Sequence, residues 1–427
     1  MDESKLAPNL LATLKEARSQ AADEAPLPIP VIIRYRQGVI RSQTVKEGLE
    51  ASFVYRLTPT VAVTASGADI GALTDNESIE YIWLDEEIRI CVDRSLPQIA
   101  IPAVWGAGYR GAGIKIAVVD TGLDAAHPDF AGRVVAGASF VGGDYGDENG
   151  HGTHVAGIVA GDGSVLGGKY RGVAPESQIY VSRVLDRNGS GSMSGVMAGV
   201  EWAVDQKVDV MNLSLGGALS SDGQDALSLT CNAAVAEGIV VCVAAGNAGP
   251  GSKTVGSPGA AADVITIGAV DRDDGMARFS SRGPTADGRT KPDVCFPGTD
   301  IVAARASGTS MGSPTSDRYT AASGTSMATP HASGLAALLL QAKSSLTPAD
   351  VKRILMETAL DLGQDDNAQG SGRGQADKAL QETVGDVPPP EPPPEPPPGD
   401  EPPGEEPTPP EEQKGCLPTF LVSLLGR

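Results

Sequence analysis

A carboxylate, an imidazole and a hydroxyl make a nucleophile only when brought together, and this sequence holds each in a setting that could present it. Asp120 ends the apolar run IKIAVV (114–119), and a strand-end carboxylate sits at the rim where open α/β sheets bind ligands. Taken alone, an Asp in a tight turn with Thr121 and Gly122 is the simpler reading. His151 and His154 lie three apart in NGHGTHVAG (149–157), at a helix start. A metal pair is disfavoured: the zinc pattern spaces its histidines by four with a Glu between. An imidazole near a strand-end carboxylate is instead the arrangement of a positioned general base. Ser326 stands in SGTSMATPH (323–331), between a Gly-rich turn and an apolar helix, where an N-cap is the bland alternative. A hydroxyl attacks only once a base takes its proton, so Ser326 acquires meaning from His151 and Asp120. Asn247, in AAGN (244–247), offers an amide to a developing oxyanion, or is a turn residue.

A near-copy of the serine motif, SGTSMGSP (307–314), makes Ser310 a rival nucleophile. GSPTSDRYT follows Ser310, whereas Ser326 leads into HASGLAALLLQAK, which can bury itself against a sheet. Ser326 is therefore preferred, with the near-copy expected in a loop just ahead of the site.

These residues need a scaffold, and the sequence supplies one of α/β texture from about Pro97. IKIAVV, IYVSRVL (179–185), VDVMNLS (208–214), GIVVCVAA (238–245) and VITIGAV (264–270) are continuous apolar runs, which suit parallel strands covered on both faces. Helical patterns alternate with them: SGVMAGVEWAVDQ, DALSLTCNAAVAEG and SMATPHASGLAALLLQAK. The alternation predicts a doubly wound, mainly parallel sheet with a site at the carboxyl ends of its strands. TPADVKRILMET (347–358) opens with a Thr cap and Pro, a good helix start. Ahead of this domain, VIIRYR (31–36), ASFVYRL (51–57) and IEYIWL (79–84) read as strands, with a short helix over GADIGALTDN. They make a small α+β module over 30–93, preceded by a polar extension over 1–29.

The chain has 427 residues and a net charge of 33 − 54 = −21. That excludes a general phosphate-binding surface, so no nucleic-acid partner is expected. Five cysteines, Cys91, Cys231, Cys242, Cys295 and Cys416, are too sparse for a disulfide framework. No apolar stretch reaches the ~18 residues of a membrane span. The start shows no apolar signal core, so the expected compartment is cytoplasmic, or extracellular if the natural N-terminus is longer or export is non-classical. Between 386 and 415 lie 14 prolines and nine acids, a composition that favours an extended, disordered linker. The short apolar tail CLPTFLVSLLGR (416–427) comes last.

In family order, VVDTG, NGHGTHVAG, NLSLGG, AAGN and SGTSMATPH resemble the subtilisin-like serine proteases (subtilases, peptidase family S8) over a domain placed at 97–382. The resemblance implies a serine endopeptidase hydrolysing polypeptide substrates through an acyl-enzyme on Ser326. It makes His151 the general base, Asp120 its orienting carboxylate, and Asn247 an oxyanion donor beside the Ser326 N–H. It implies a substrate cleft between Ser214, Leu215 and Gly216 on one side and Gly189, Ser190 and Gly191 on the other. Gly256 becomes the base of the first pocket, leaving room for a large P1 side chain, and Met193 a wall of a more distant apolar subsite. No cofactor is required for the chemistry, while Asp129 in DAAHPDF matches a family calcium ligand, so structural calcium is possible. The loop GDGSVLGGKYRG departs from the family's Asn-rich calcium loop, and CFPG (295–298) stands where Ala-Pro-Gly is usual. ASFVYRLTPTVAVTASGADIGALTDNESIEYIWLDEEI (51–88) resembles the family's inhibitor-like prodomain. It implies a self-processing zymogen of broad specificity with its own prodomain as intramolecular inhibitor. Two rivals stand beside this: a catalytically silent subtilase-like binding protein, and a processing protease of narrow sequence choice.

Overall fold

The computed structural model describes residues 2–7, 10, 11, 13–15, 28–36, 49, 51–54, 59–85, 95–217 and 220–385. The Pro/Glu linker, the apolar tail, Cys91 and Cys416 lie outside them. The chain divides into two compact units, Met1–Val92 and Asp93–Arg427.

The first unit holds β1 (Ile29–Tyr35), β2 (Ala51–Val54), β3 (Thr60–Ala65), helix α1 (Gly67–Thr74) and β4 (Ile79–Leu84), with the sheet in the order β2-β3-β1-β4. The pairs β1–β3, β1–β4 and β2–β3 are antiparallel. Strand β1 alternates as the period of two requires, with Val31, Ile33 and Tyr35 buried. Strand β3 is absent from the sequence-based expectation. The extension also differs from the reading of 1–29 as merely polar. Leu6, Leu10 and Leu14 are buried among Val31, Ile33 and Ile82, so the module's core begins ahead of residue 30.

The second unit is built on seven parallel strands in the order β11-β10-β9-β8-β5-β7-β6. They are β5 (Lys115–Asp120), β6 (Val134–Ser139), β7 (Gln178–Arg183), β8 (Val210–Leu213), β9 (Val240–Ala244), β10 (Ile265–Val270) and β11 (Val294–Pro297). Strand β5 shows why these runs are apolar throughout. Ile116 and Val118 pack into one core with helices α2 (His151–Ala160) and α5 (Thr325–Ala342). Ala117 and Val119 pack into another with α3 (Met193–Asp205) and α4 (Ala226–Ala236). Helix α6 (Pro348–Glu357) opens on a capping box between Thr347 and Asp350. Three short antiparallel strands, β12 (Ile301–Ala304), β13 (Ser313–Pro314) and β14 (Tyr319–Ala322), complete the unit in the order β12-β14-β13. Chain order reverses about β5, whose neighbours are β7 and β8, so the crevice at their carboxyl ends is the switch point of the sheet.

Cys231, Cys242 and Cys295 are buried free thiols, and burial pushes the first two up to about 12, leaving them inert at neutral pH. Among the described residues, no helix is long and apolar enough to cross a membrane.

Candidate active site

Asp120 is the last residue of β5 and fully buried. His151 is the first residue of α2, entered from Gly150 at φ 106°. That conformation favours glycine, and a Cβ on Gly150 would meet Thr309 Oγ1 at 2.7 Å. The two side chains are joined by Nδ1 of His151 and Oδ1 of Asp120 at 2.7 Å. This fixes the tautomer: Nδ1 carries the proton to the carboxylate, and Nε2 is free to accept one. Burial opposes an imidazolium there, but the charge and hydrogen bond of Asp120 and the charge of Asp147 outweigh it. The pKa of His151 is raised above its ordinary 6.5.

Asp147 was not singled out by sequence reasoning. Its Oδ1 accepts from Thr121 Oγ1 and the N–H groups of Asn149 and Gly150, and its Oδ2 from the N–H and hydroxyl of Thr153. One carboxylate thus fastens the loop before His151 to the first turn of its helix. Arg183, paired with Asp120 across β5 and β7, supports the same loop from below. Its guanidinium donates to the carbonyls of Asp144 and Gly146 and to Glu148.

Ser326 lies in the first turn of α5, where backbone N–H groups have no intrahelical acceptor and are open to an anion. Pro330, four residues on, cannot donate to the Ser326 carbonyl, and Ser214 Oγ does so at 2.9 Å. The Ser326 hydroxyl in turn donates to the Ser214 carbonyl at 3.0 Å. Asn247, just past β9, accepts the Thr325 N–H and hydroxyl on Oδ1. This leaves its Nδ2 donor uncommitted beside the turn that carries Ser326, where a Cβ on Gly324 would come within 3.4 Å of it.

A cleft of about 510 Å³ opens beside His151, with Gly189, Ser190, Gly191 and Met193 on one side and Ser214, Leu215 and Gly216 on the other. Met193 is 47% exposed, so it faces the cleft rather than a core. Gly256 is buried and bridged to Ser220, while the neighbouring Ser257, with Leu227, lines the cleft. Ser257 donates to Asp225, the N-cap of α4, at 2.5 Å. Nothing local in the sequence announces this pairing across some thirty residues. Ser310 is exposed in the loop between β12 and β13. That loop leans on the mouth of α2, its Thr309 and Met311 facing Gly150.

The calcium expectation at Asp129 does not fit. Calcium takes six to eight oxygen ligands, but both Asp129 carboxylate oxygens accept the Tyr319 hydroxyl, at 3.1 and 3.0 Å. Among the described residues, no group of three or more His, Cys, Asp or Glu could hold a metal ion.

The subtilase family model matches residues 111–372 of this chain. The chain is 39% identical over 335 residues to the serine protease AprX of Bacillus subtilis (strain 168), covering 72% of this chain and 76% of that protein. It is 36% identical over 360 residues to subtilisin E of Bacillus subtilis (strain 168), covering 81% and 89%. A solved cold adapted subtilisin-like serine proteinase superposes with a TM-score of 0.51 at 36% identity, covering 62% of this chain and 88% of that one.

Proposed function

Because the chain belongs to the subtilase family, and is a serine endopeptidase of subtilisin-like fold, we propose that Asp120, His151, Ser326 and Asn247 carry its chemistry. The observation that supports this best is the 2.7 Å bond from His151 Nδ1 to Asp120, which leaves Nε2 as the base. Ser326 Oγ adds to the scissile carbonyl carbon as its proton passes to His151 Nε2. The carbonyl oxygen becomes an oxyanion held by Asn247 Nδ2 and the Ser326 N–H. Collapse breaks the C–N bond, with the proton delivered from His151 to the leaving amine. Water, deprotonated by the same imidazole, then hydrolyses the ester and restores Ser326.

Specificity is broad in this reading. Gly189, Gly191 and Gly216 present main chain to an extended peptide, and main-chain pairing reads shape more than sequence. Asp225 stands behind Ser257 rather than in the cleft. The polypeptide is made as a zymogen, with the N-terminal unit as its inhibitor. The junction DEEIRICVDRSLPQ (85–98) is the segment to be cut, and residues 86–94 lie outside the described residues. Cleavage within one chain is favoured by high effective concentration.

A fluorophosphonate probe tests the chemistry: it should label Ser326 in the wild-type protein, and an unlabelled protein with no peptidase activity would overturn it. Intact mass tests maturation. Wild type should lose its N-terminal unit, Ser326→Ala should accumulate uncut, and isolated residues 1–93 should inhibit the mature enzyme. The isolated piece starts at residue 1 because Leu6, Leu10 and Leu14 belong to its core. Full activity with that unit still attached would refute the zymogen reading alone.

A further inference from the structure

Asp129 lies in the short helical turn Pro128–Phe130 and is fully buried. Its main chain grips the far end of the His151 helix. The Asp129 carbonyl accepts from the Asp162 N–H at 3.1 Å. Arg133 bridges that same carbonyl to the carbonyl of Ala160, the last residue of α2. Its carboxylate reaches the other way. Both oxygens take the hydroxyl of Tyr319, and Ser164 Oγ is 3.5 Å from Oδ1. The neighbouring His127 makes a parallel tie, accepting the Asp129 N–H on Nδ1 and donating from Nε2 to the Arg318 carbonyl at 2.9 Å. The Tyr319 ring is fully buried against Tyr170 and His127.

Tyr319 opens β14, and the residues after it lead into the catalytic site. Thr320 accepts from His154 Nε2 on the His151 helix at 3.0 Å. The strand ends at Ala322, and the chain passes through Ser323 and Gly324 directly into Thr325 and Ser326. One hydroxyl therefore joins the strand that delivers the nucleophile to the turn that grips the base's helix.

We propose that the Tyr319 hydroxyl, seated on the Asp129 carboxylate, is a positioning group that sets Ser326 relative to His151, and that it does so in place of a metal ion. The bond needs no calcium: the buried carboxylate takes its hydrogen bond from a donor of this chain, one hydroxyl shared between its two oxygens. The phenol is part of the same hairpin that carries the near-copy SGTSMGSP, so that hairpin has a task independent of any chemistry at Ser310. A staple between the two catalytic segments acts on the geometry of attack more than on substrate affinity, because the cleft walls at 189–191 and 214–216 belong to other elements.

The test is Tyr319→Phe, which keeps the buried ring and removes only the hydroxyl, studied in the full chain. In the Ser326→Ala background, where self-digestion cannot interfere, Tm should fall on the order of 5 °C. In the active enzyme, kcat should fall about tenfold with KM unchanged, since misplacement of reacting groups lowers the rate after binding. The parent protein's Tm and kcat should be the same in EGTA and in calcium. A Tm that drops in EGTA and returns with calcium would show a metal at work and overturn the proposal. A lower Tm with kcat intact would make the hydroxyl a stabilising bond only and equally overturn it, as would a variant matching its parent in both.

Discussion

Ser214 and Ser326 hold each other reciprocally: the hydroxyl of each donates to the main-chain carbonyl of the other, at 2.9 and 3.0 Å. The exchange exists because Pro330 leaves the Ser326 carbonyl without its helical donor. It joins the wall of the cleft to the proposed nucleophile, and it is continued by Asn212, which donates to Ser214 Oγ and accepts from Ser333.

Ser214→Ala strips the Ser326 carbonyl of this donor. A buried acceptor left unmade costs ~1–3 kcal/mol. Guanidinium unfolding in the Ser326→Ala background should show a loss of that order, because the carbonyl is still present there. In the active enzyme kcat should fall while KM changes little. An unchanged midpoint would mean that the Ser326 carbonyl finds another partner.

Ser326→Ala should abolish peptide hydrolysis, whereas Ser310→Ala should leave most of it. Ser326 sits in the first turn of an 18-residue helix beside Asn247, while Ser310 is exposed in the loop between β12 and β13. The check is probe labelling of both variants alongside kcat/KM. Label retained in Ser326→Ala and lost in Ser310→Ala would reverse the assignment.

Much of this site was legible because its residues sit where local pattern changes abruptly. Asp120 follows four buried strand residues, His151 opens a helix from a glycine, and Ser326 precedes a long apolar helix. Each is read from a few neighbours. The residues that escaped depend on partners far along the chain. Asp147 is an ordinary loop acid until Thr121 and Thr153 converge on it, and Ser257 acquires its place from Asp225. Strands β6, β12 and β14 were missed for a related reason. Sequences such as VVAGAS and YTAA are short and rich in Gly or Ala, so no period of two stands out. At Asp129 a motif match raises calcium, while the carboxylate accepts the hydroxyl of Tyr319, 190 residues away, a partner that no local pattern announces.

Asn247→Ala should lower kcat far more than it raises KM, because Nδ2 meets charge that develops only in the transition state. The loss measured for the oxyanion asparagine of subtilisin, roughly 10²–10³-fold in kcat, is carried over from that relative as the expected size. Steady-state kinetics on a small peptide decide it, and an equal change in both parameters would assign Asn247 to binding.

Activity should fall as pH drops through a midpoint above 6.5. The base must be neutral to accept the Ser326 proton, and Asp120 and Asp147 hold the imidazolium of His151 against the opposing effect of burial. A raised pKa keeps the ring protonated to higher pH, so the acid limb of kcat/KM moves up. A profile of the free enzyme with its midpoint below 6.5 would contradict this electrostatic balance.

Acid should also destabilise the protein before most of its carboxylates titrate. Burial lowers the pKa of both His154 and His331 to about 4. His154 Nε2 donates to the Thr320 and Ile301 carbonyls, and His331 lies between the Met327 carbonyl and Ser95. Each has a folded pKa below its unfolded value of 6.5. Between pH 6.5 and 4 the unfolded chain therefore binds more protons, and stability declines as pH falls through that window. At ~1.4 kcal/mol per pKa unit the pair sets a loss of several kcal/mol. His151 works in the other direction, since its raised pKa favours the folded state on protonation, but it is one group against two. Guanidinium midpoints of Ser326→Ala across this range should fall toward acid. His331→Asn should flatten the decline, because one of the two buried rings no longer has to stay neutral. A slope identical in both proteins would show that the acid response comes from elsewhere in the fold.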